Sequence, residues 1–297
     1  MNRGLDLVCY GEVLWDVFPD KSVIGGAPLN VALRANSFGL TTAMISRVGS
    51  DDFGRGILNF MEKRQLSTKF IQTDAELPTG TVKVWLDENG TASYKIMFPV
   101  AWDAIEFTNE NKQLVGDSKV LVFGSLICRN EKSRDTLNSL LPYANYKVFD
   151  VNLRPPDYGL PLLVELMKSS DLVKMNSEEL DEISNFLNID ESDEQSVLLS
   201  LSRITSTTSI CITKGEKGAI LFHGNQFYEQ AGFKVKVADT VGAGDSFLAT
   251  LISELIVFQN SPKNSLEKAC AIGSLVASKS GATPKLTLQE IALLINN

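Results

Sequence analysis

The residues with the clearest chemistry lie in Asp239-Thr240-Val241-Gly242-Ala243-Gly244-Asp245, directly before an apolar helical stripe that begins at Phe247. Two glycines let the backbone approach a ligand closely, and unpaired N–H groups at a helix start attract an anion. We therefore expect Gly244 to need a backbone conformation that a side chain would forbid. A carboxylate in such a loop repels phosphate, unless it removes the proton of an attacking hydroxyl. The pattern indicates phosphoryl transfer with Asp245 as base; a glycine turn with Asp245 as a helix cap is the alternative.

A second glycine turn enters a helix at Gly25-Gly26-Ala27-Pro28-Leu29-Asn30. The Asn30 amide both donates and accepts hydrogen bonds, which suits the hydroxyls of a sugar. Upstream, Asp16 ends Gly11-Glu12-Val13-Leu14-Trp15-Asp16. Its carboxylate can accept from two neighbouring hydroxyls. An ordinary tight turn and a surface aspartate remain the alternatives for these two segments.

Two further polar side chains, Asn152 and Arg154, follow an apolar run in Asp150-Val151-Asn152-Leu153-Arg154-Pro155. The carboxyl edge of a parallel sheet is where such folds usually bind ligands. Arg154 is therefore a candidate for contact with sugar oxygens or phosphate, and a surface salt bridge is the equal alternative.

The bulk composition excludes several functional classes. The 297 residues are 44% hydrophobic and carry a formal net charge of −8, without a basic patch, so nucleic acid and anionic membranes are not expected partners. The first apolar run, Leu5–Tyr10, is too short for a signal peptide or a membrane span, which predicts a cytoplasmic protein. Four isolated cysteines and one histidine, His223 in an expected surface turn, disfavour a zinc enzyme and a Ser-His-Asp hydrolase.

The elements that must position these residues alternate between strands and helices. Apolar runs predict strands at Leu5–Tyr10, Thr42–Val48, Lys119–Phe123, Lys147–Val151, Asp171–Met175 and Ser209–Thr213. Helices are predicted at Pro28–Phe38, Phe247–Phe258 and Ser265–Lys279. Repeated βα units indicate a mostly parallel sheet covered by helices on both faces.

One stretch breaks the βα rhythm. Residues Thr81–Met97 alternate apolar and polar positions around Asn89-Gly90, which predicts a β-hairpin. Together with Val13–Ile24 it could build a small second sheet over the main body and create a substrate cleft. The hairpin is also a candidate for pairing across a homodimer.

Three more segments complete a known pattern. Gly49-Ser50-Asp51-Asp52-Phe53-Gly54, Asn176-Ser177-Glu178-Glu179 and Thr213-Lys214-Gly215-Glu216-Lys217-Gly218 follow in order. With the two glycine turns they resemble the motifs of the ribokinase-like, or phosphofructokinase-B, carbohydrate kinases from about Leu5 to Pro284. The resemblance implies a three-layer α/β/α sandwich with a mostly parallel sheet and a small β-sheet lid. It implies one domain, 1–297, with lid strands from about 12–24 and 80–103.

The resemblance also implies a role for each motif. Asp245 would be the base, and the amides of Gly242, Ala243 and Gly244 would hold the developing phosphoryl charge. The sugar would contact Asp16, Gly25, Gly26, Asn30, Asn152 and Arg154. ATP would lie against Asn176, Glu179, Thr213, Lys214, Gly215 and Gly218, with Glu179 reaching Mg²⁺ through water. Asp239 and the backbone near Gly281 would hold K⁺. A plain helix start with a capping box is the alternative for Asn176 and Glu179, and a simple turn residue for Asp239.

The sugar is the less determined part. Ribokinases carry a glutamate after the strand that here reads Val120-Leu121-Val122-Phe123-Gly124-Ser125, which puts ribose in doubt. The Asp150–Pro155 segment and the pairs Trp15-Asp16 and Trp102-Asp103 resemble the bacterial fructokinase branch. We expect ATP-dependent phosphorylation of a primary hydroxyl of a free monosaccharide, fructose above all. The alternatives are 2-keto-3-deoxygluconate, ribose, a nucleoside, a sugar phosphate, or an inactive sugar-binding or regulatory protein on the same fold.

Overall fold

A nine-stranded sheet forms the centre of the protein. The computed structural model describes residues 4–86 and 92–296. Within them the strands are β1 (Leu5–Tyr10), β2 (Leu14–Val17), β3 (Ser22–Gly25), β4 (Thr42–Gly49), β5 (Ile71–Asp74), β6 (Gly80–Leu86), β7 (Ala92–Ile96), β8 (Ser118–Gly124), β9 (Lys147–Asp150), β10 (Leu172–Asn176), β11 (Ser209–Thr213), β12 (Ala219–His223) and β13 (Gln226–Gln230).

Helices flank this sheet. They are α1 (Ala27–Ser37), α2 (Asp52–Lys63), α3 (Asn109–Asp117), α4 (Glu131–Leu140), α5 (Leu160–Lys168), α6 (Ser177–Phe186), α7 (Glu194–Thr205), α8 (Ala243–Ile252), α9 (Pro262–Ala277) and α10 (Leu288–Asn296). In these described parts of the chain, no helix is long and apolar enough to cross a membrane.

The large sheet has the order β13-β12-β11-β10-β9-β8-β1-β4-β5, and only β12 runs antiparallel to the other strands. Alternate residues of β1 join two different cores. Leu7 and Cys9 pack into one, and Val8 and Tyr10 into the other. A strand buried on both faces needs apolar side chains throughout, which explains its continuous apolar run. The α/β sandwich predicted from the sequence is confirmed.

The smaller sheet has the order β3-β2-β6-β7 and its own apolar cluster of Leu14, Val82 and Val84. Strand β2 pairs in parallel with β6, and β6 pairs antiparallel with β7, as in the predicted hairpin. The predicted Asn89-Gly90 turn lies outside the described residues. Pairing of this sheet across a homodimer stays a prediction.

The main departures from the predicted elements occur around α8. The helix begins at Ala243 rather than at Phe247, so that Asp245 lies in its first turn. It ends at Ile252 and continues as a π-helical segment, Ser253–Val257.

The cysteines and the histidine also have defined places. All four cysteines are buried and free, as predicted. His223 is the last residue of β12 rather than a turn residue, and its Nδ1 atom lies 2.8 Å from the Ser209 hydroxyl. Strand pairing of His223 with Gln226 leaves Gly224 and Asn225 to form the turn.

Candidate active site

The two glycine turns meet at one hydrogen bond. Asn30, in the first turns of α1, donates from Nδ2 to Oδ2 of Asp245 over 2.8 Å. One turn further along α1, Arg34 Nε donates over 3.0 Å to the hydroxyl of Ser246, the residue after Asp245. The close packing of α1 against α8 therefore places two motifs, 215 residues apart in sequence, in a single site.

The loop before α8 is held tightly from behind. Gly242 has a left-handed backbone with φ 75°, and a Cβ atom there would lie 2.2 Å from the carbonyl oxygen of Ala282. The Asp239 carboxylate accepts from the backbone N–H groups of Val241, at 3.0 Å, and Gly281, at 3.1 Å. The expectation for Gly244 is wrong: it is an ordinary helical residue, so the conformational demand for glycine falls on Gly242.

The Asp245 carboxyl is poised to exchange a proton near neutral pH. Burial and the neighbouring Asp150 raise its pKa to about 6, against the opposing effects of Asn30, Lys174 and Arg154. A base is most effective when its pKa lies near the working pH. At pH 7 and above Asp245 is mainly ionised and able to accept the proton of a hydroxyl.

A buried ion pair lies beneath this loop, and we did not predict it. Lys174 on β10 pairs with Asp150, the last residue of β9, over 3.0 Å, and both side chains are buried. The second oxygen of Asp150 has no hydrogen-bond partner among the described residues. The signal in the sequence was a lysine inside the apolar run Asp171–Met175, where a charge needs a partner.

Glu12 is a second residue that sequence reasoning missed. It follows β1 and is buried, with Oε1 accepting from the Ala27 N–H over 3.2 Å. Burial raises its pKa to about 7. A Cβ atom on Gly26 would lie 2.5 Å from the Glu12 carbonyl oxygen, so the glycine turn packs directly on this residue. The available signal was a charged residue immediately after a buried strand.

Asp16 belongs to the smaller sheet and stands beside the same glycine turn. A Cβ atom on Gly25 would lie 2.8 Å from its Oδ2 atom. Burial raises the pKa of Asp16, and the Arg154 guanidinium opposes that rise. Arg154 acts in the same direction on Glu12 and Asp245, so it faces one group of carboxylates.

The segment that carries Arg154 is fixed by hydrogen bonds. Asn152 has a left-handed backbone, φ 40°, and its carbonyl oxygen accepts from the Ser125 hydroxyl over 3.4 Å. The next N–H, of Leu153, donates to Glu179 Oε1 over 2.8 Å. Arg154 itself is exposed and donates to the Leu153 carbonyl.

Asn176 and Glu179 form a capping box at the start of α6. The Asn176 side chain accepts from the Glu179 N–H over 2.8 Å, and Glu179 Oε2 accepts from the Asn176 N–H over 2.9 Å. With the Leu153 contact, each carboxylate oxygen of Glu179 accepts one backbone hydrogen bond. A carboxylate offers about four acceptor positions, so two remain for water.

The remaining predicted nucleotide residues lie where β11 turns into β12. Thr213 ends β11, and the Lys214 ammonium pairs with Glu194 over 2.9 Å. Gly215 is exposed, whereas Gly218 is buried, and a Cβ atom on it would lie 1.9 Å from the carbonyl oxygen of Gln230. Gly218 thus lets β12 and β13 approach closely, while Gly215 borders open space.

Comparison with known proteins agrees with this geometry. The pfkB family carbohydrate kinase model matches residues 2–288. The chain belongs to the pfkB family of carbohydrate kinases. It is therefore an ATP-dependent sugar kinase, as the motifs predicted.

Two relatives in the pfkB family illustrate the range of similarity. A putative sugar kinase of Pyrococcus horikoshii is 30% identical over 273 residues, covering 88% of this chain and 83% of the relative. Probable fructokinase-5 of Arabidopsis thaliana is 26% identical over 308 residues, covering 94% of each chain.

Two solved structures share the fold. Fructokinase from Xylella fastidiosa with bound ATP superposes with a TM-score of 0.85 at 24% identity, covering 98% of each chain. Fructokinase from Vibrio cholerae, bound to fructose, ADP and a calcium ion, has a TM-score of 0.80 at 25% identity, covering 98% of this chain and 99% of that one.

Two metal ions implied by the resemblance can be tested against the residues present. Mg²⁺ typically takes one or two carboxylates plus substrate phosphates and keeps its waters. Glu179, with two free acceptor positions, fits that description. The Asp239 carboxylate is occupied by two N–H groups, so a K⁺ ion there would rely on additional carbonyl oxygens of the 239 and 281 turns. No cluster of three or more His, Cys, Asp or Glu suited to a metal occurs in the described part of the chain.

Proposed function

We propose that this kinase transfers the γ-phosphoryl group of ATP to a primary hydroxyl of a free monosaccharide, with fructose as the preferred acceptor. The observation that carries the proposal is the hydrogen bond between Asn30 and Asp245. It joins a group suited to hydroxyl recognition to a carboxylate suited to proton removal.

The reaction follows from the position of Asp245 in the first turn of α8. A sugar hydroxyl beside it loses its proton to the carboxylate as the oxygen attacks the γ-phosphorus of ATP, and the bond from that phosphorus to the bridging oxygen breaks to release ADP. The N–H groups of Gly242, Ala243 and Gly244 lie at the start of a helix, where they would stabilise negative charge on the transferred group. The Ala243 N–H also donates to the Thr240 carbonyl oxygen over 3.2 Å. Magnesium, when bound with ATP, neutralises phosphate charge. Glu179 would hold its waters, and Asn176, Thr213, Lys214, Gly215 and Gly218 would border the nucleotide.

The acceptor is inferred from the charges that face the pocket. The charge of one exposed cation, Arg154, acts on three carboxyl groups, those of Asp16, Glu12 and Asp245. A phosphorylated sugar would need several basic groups, whereas free hydroxyls need acceptors such as Asp16 and the Asn30 amide. Asn152, Gly25 and Gly26 complete this wall. The absence of a glutamate after β8 and the similarity to a plant fructokinase favour fructose over ribose.

A coupled assay of ATP consumption tests the assignment. The purified protein is given fructose, ribose, 2-keto-3-deoxygluconate, a nucleoside and fructose 6-phosphate at equal concentrations. We expect the highest kcat/KM for fructose, with the product phosphate on a primary carbon by ³¹P NMR. If another acceptor gave a higher kcat/KM, fructose would be the wrong substrate but the kinase assignment would stand. If no acceptor in the panel supported ATP consumption, the monosaccharide assignment would be refuted.

We further propose a bound K⁺ ion behind the Asp239 turn. Contacts of Asp239 with Gly281 and of Gly242 with Ala282 join the loop to the turn behind it, so a cation there would brace the anion-binding amides. We expect kcat to rise when potassium replaces tetramethylammonium at constant ionic strength. Equal rates in both salts would contradict the site.

A further inference from the structure

The buried Lys174 ammonium lies immediately beside the loop Asp239–Asp245, which we call the anion loop because its amides are the proposed site for phosphoryl charge. Its Nζ atom is 3.0 Å from Oδ1 of Asp150 and 3.4 Å from the position that a Cβ atom on Gly244 would occupy. The side chain therefore reaches from the central sheet to the first turn of α8, next to Asp245. The missing side chain of Gly244 leaves space for the ammonium.

Stability does not explain this placement. A buried ion pair seldom stabilises a protein more than apolar residues of similar volume would. The dipole of α8 also repels a cation near its N-terminus. A lysine in this position is therefore better explained by an effect on a neighbouring negatively charged group.

The charged groups that face Asp245 come from four elements. Glu12, after β1, and Asp150, on β9, are negative, whereas Lys174, on β10, and Arg154, after β9, are positive. Arg154 is exposed, so water and salt weaken its effect. Lys174 is the one buried cation of this set, because its side chain is only 8% exposed. Of the two cations, Lys174 is therefore the one whose electrostatic effect on the Asp245 carboxyl is least screened by solvent.

We propose that Lys174 is a positioning residue of the phosphoryl transfer, whose ammonium keeps the Asp245 carboxylate ionised so that it can accept the hydroxyl proton. The inference rests on the proposed role of Asp245 as base. Burial alone would lower the pKa of Lys174, but Asp150, Glu179 and Asp245 raise it, so the ammonium stays charged over the working pH range.

Two variants isolate the effect of the cation. Asp150→Asn and the double variant Asp150→Asn/Lys174→Met both lack the ion pair, and they differ only in the positive charge. We expect the acid limb of kcat/KM for the sugar to move about one pH unit below that of the parent in Asp150→Asn, because a like charge is removed. In the double variant we expect it to lie about one unit above that of Asp150→Asn, because the cation is also removed.

A purely structural ion pair would give the same acid limb in both variants, and that result would overturn the proposal. A difference confined to the KM for ATP would also overturn it, since Lys174 would then act on the nucleotide. Thermal melts check folding, and Lys174→Gln in the Asp150→Asn background replaces the methionine variant if that one is unstable. A ¹³C NMR titration of the Asp245 carboxyl gives the same comparison without turnover.

The failure of this inference is distinguishable from failure of the proposed function. If Asp245→Asn keeps full activity, Asp245 is not the base and the proposed mechanism fails. If Asp245→Asn is inactive while the two acid limbs coincide, the mechanism stands and only the role of Lys174 is refuted.

Discussion

At the scale of single residues, chemistry concentrates on Asp245. Replacing Asp245 by Asn keeps an oxygen that can accept from Asn30 and removes the base. We expect kcat to fall by about 10²–10⁴-fold with little change in the affinity for ATP. Steady-state kinetics and calorimetric titration with an unhydrolysable ATP analogue measure the two quantities. Activity within a few-fold of the parent would rule out general-base catalysis by this residue.

The pH dependence of the parent enzyme follows from the same carboxylate. Its folded-state pKa of about 6 lies above the ordinary pKa of 3.8 for an aspartate, so a proton occupies Asp245 in mildly acidic solution. Because the base must be ionised, kcat/KM should fall as pH decreases through about 6 and reach a plateau above pH 7. A flat profile between pH 5 and pH 8 would contradict this assignment.

Asp16 tests recognition of the sugar rather than catalysis. Asp16→Ala removes a carboxylate that stands beside Gly25 and leaves sugar hydroxyls without an acceptor. Loss of a group that hydrogen-bonds a substrate hydroxyl can cost about 10⁴-fold in selectivity. We expect a large loss of kcat/KM for fructose, with the basal ATP affinity retained. Asp20→Ala, an exposed position just beyond β2, is the matched control and should leave kcat/KM unchanged.

Residue types alone predicted most members of the candidate site, whose roles stay predictions, but not the network of charges around Asp245. Asp245, Asn30 and Asp16 stand out because polar groups at glycine turns and strand ends have few structural uses. Lys174 and Asp150 carry a weaker signal, because a charge inside or at the end of an apolar strand indicates that a partner is needed but not which residue that partner is. Their pairing depends on the register of β9 and β10, in which the two residues are direct neighbours. That register is a property of the assembled sheet.

At the scale of elements, the two glycines of the anion loop differ in how well each position would accept a side chain. Gly242→Ala adds a Cβ atom 2.2 Å from the Ala282 carbonyl oxygen at a left-handed backbone position. Strain of this kind costs about 1–3 kcal/mol. Gly244→Ala adds a helical alanine whose Cβ atom lies 3.4 Å from the movable end of Lys174.

We therefore expect Gly242→Ala to lower both the melting temperature and kcat. Gly244→Ala should keep the melting temperature and lower kcat through displacement of Lys174. Calorimetry and steady-state kinetics on the pair measure both effects. If Gly244→Ala were the less stable variant, the assignment of the strained position would be wrong.

The elements themselves were predictable to different degrees. Strands β1 and β11 follow from continuous apolar runs, because both of their faces are buried. The start of α8 was not predictable from periodicity, since its first turn consists of the glycine loop itself and has no apolar stripe. The change to a π-helix at Ser253–Val257 has no sequence signal that we recognise.

At the scale of the whole molecule, the candidate site collects carboxyl groups whose ionised form is disfavoured by burial. Glu12, Asp16, Glu179 and Asp245 all have raised pKa values, with burial as the main cause. Glu12 and Glu179 are buried, and Asp16 and Asp245 are partly buried. Keeping four carboxylates away from water lowers the stability of the unliganded enzyme, and the hydroxyls of a bound sugar would offset part of that loss.

The destabilising effect of burying Glu12 can be measured from the pH dependence of the free energy of unfolding. Its folded pKa of about 7 exceeds the ordinary pKa of 4.5 for a glutamate. The folded state binds the Glu12 proton more tightly than the unfolded state does. The stability gained from this proton is therefore fully present below pH 4.5 and is lost as pH rises through 7. For Glu12→Gln, which cannot ionise, we expect the stability relative to the parent to increase by about 2 kcal/mol between pH 5 and pH 8.

Urea denaturation at the two pH values measures this change, and the packing effect of the substitution cancels because it is the same at both. Glu178→Gln, an exposed carboxylate in the first turn of α6, is the control. An equal stability difference at pH 5 and pH 8 would show that Glu12 is not held neutral by burial.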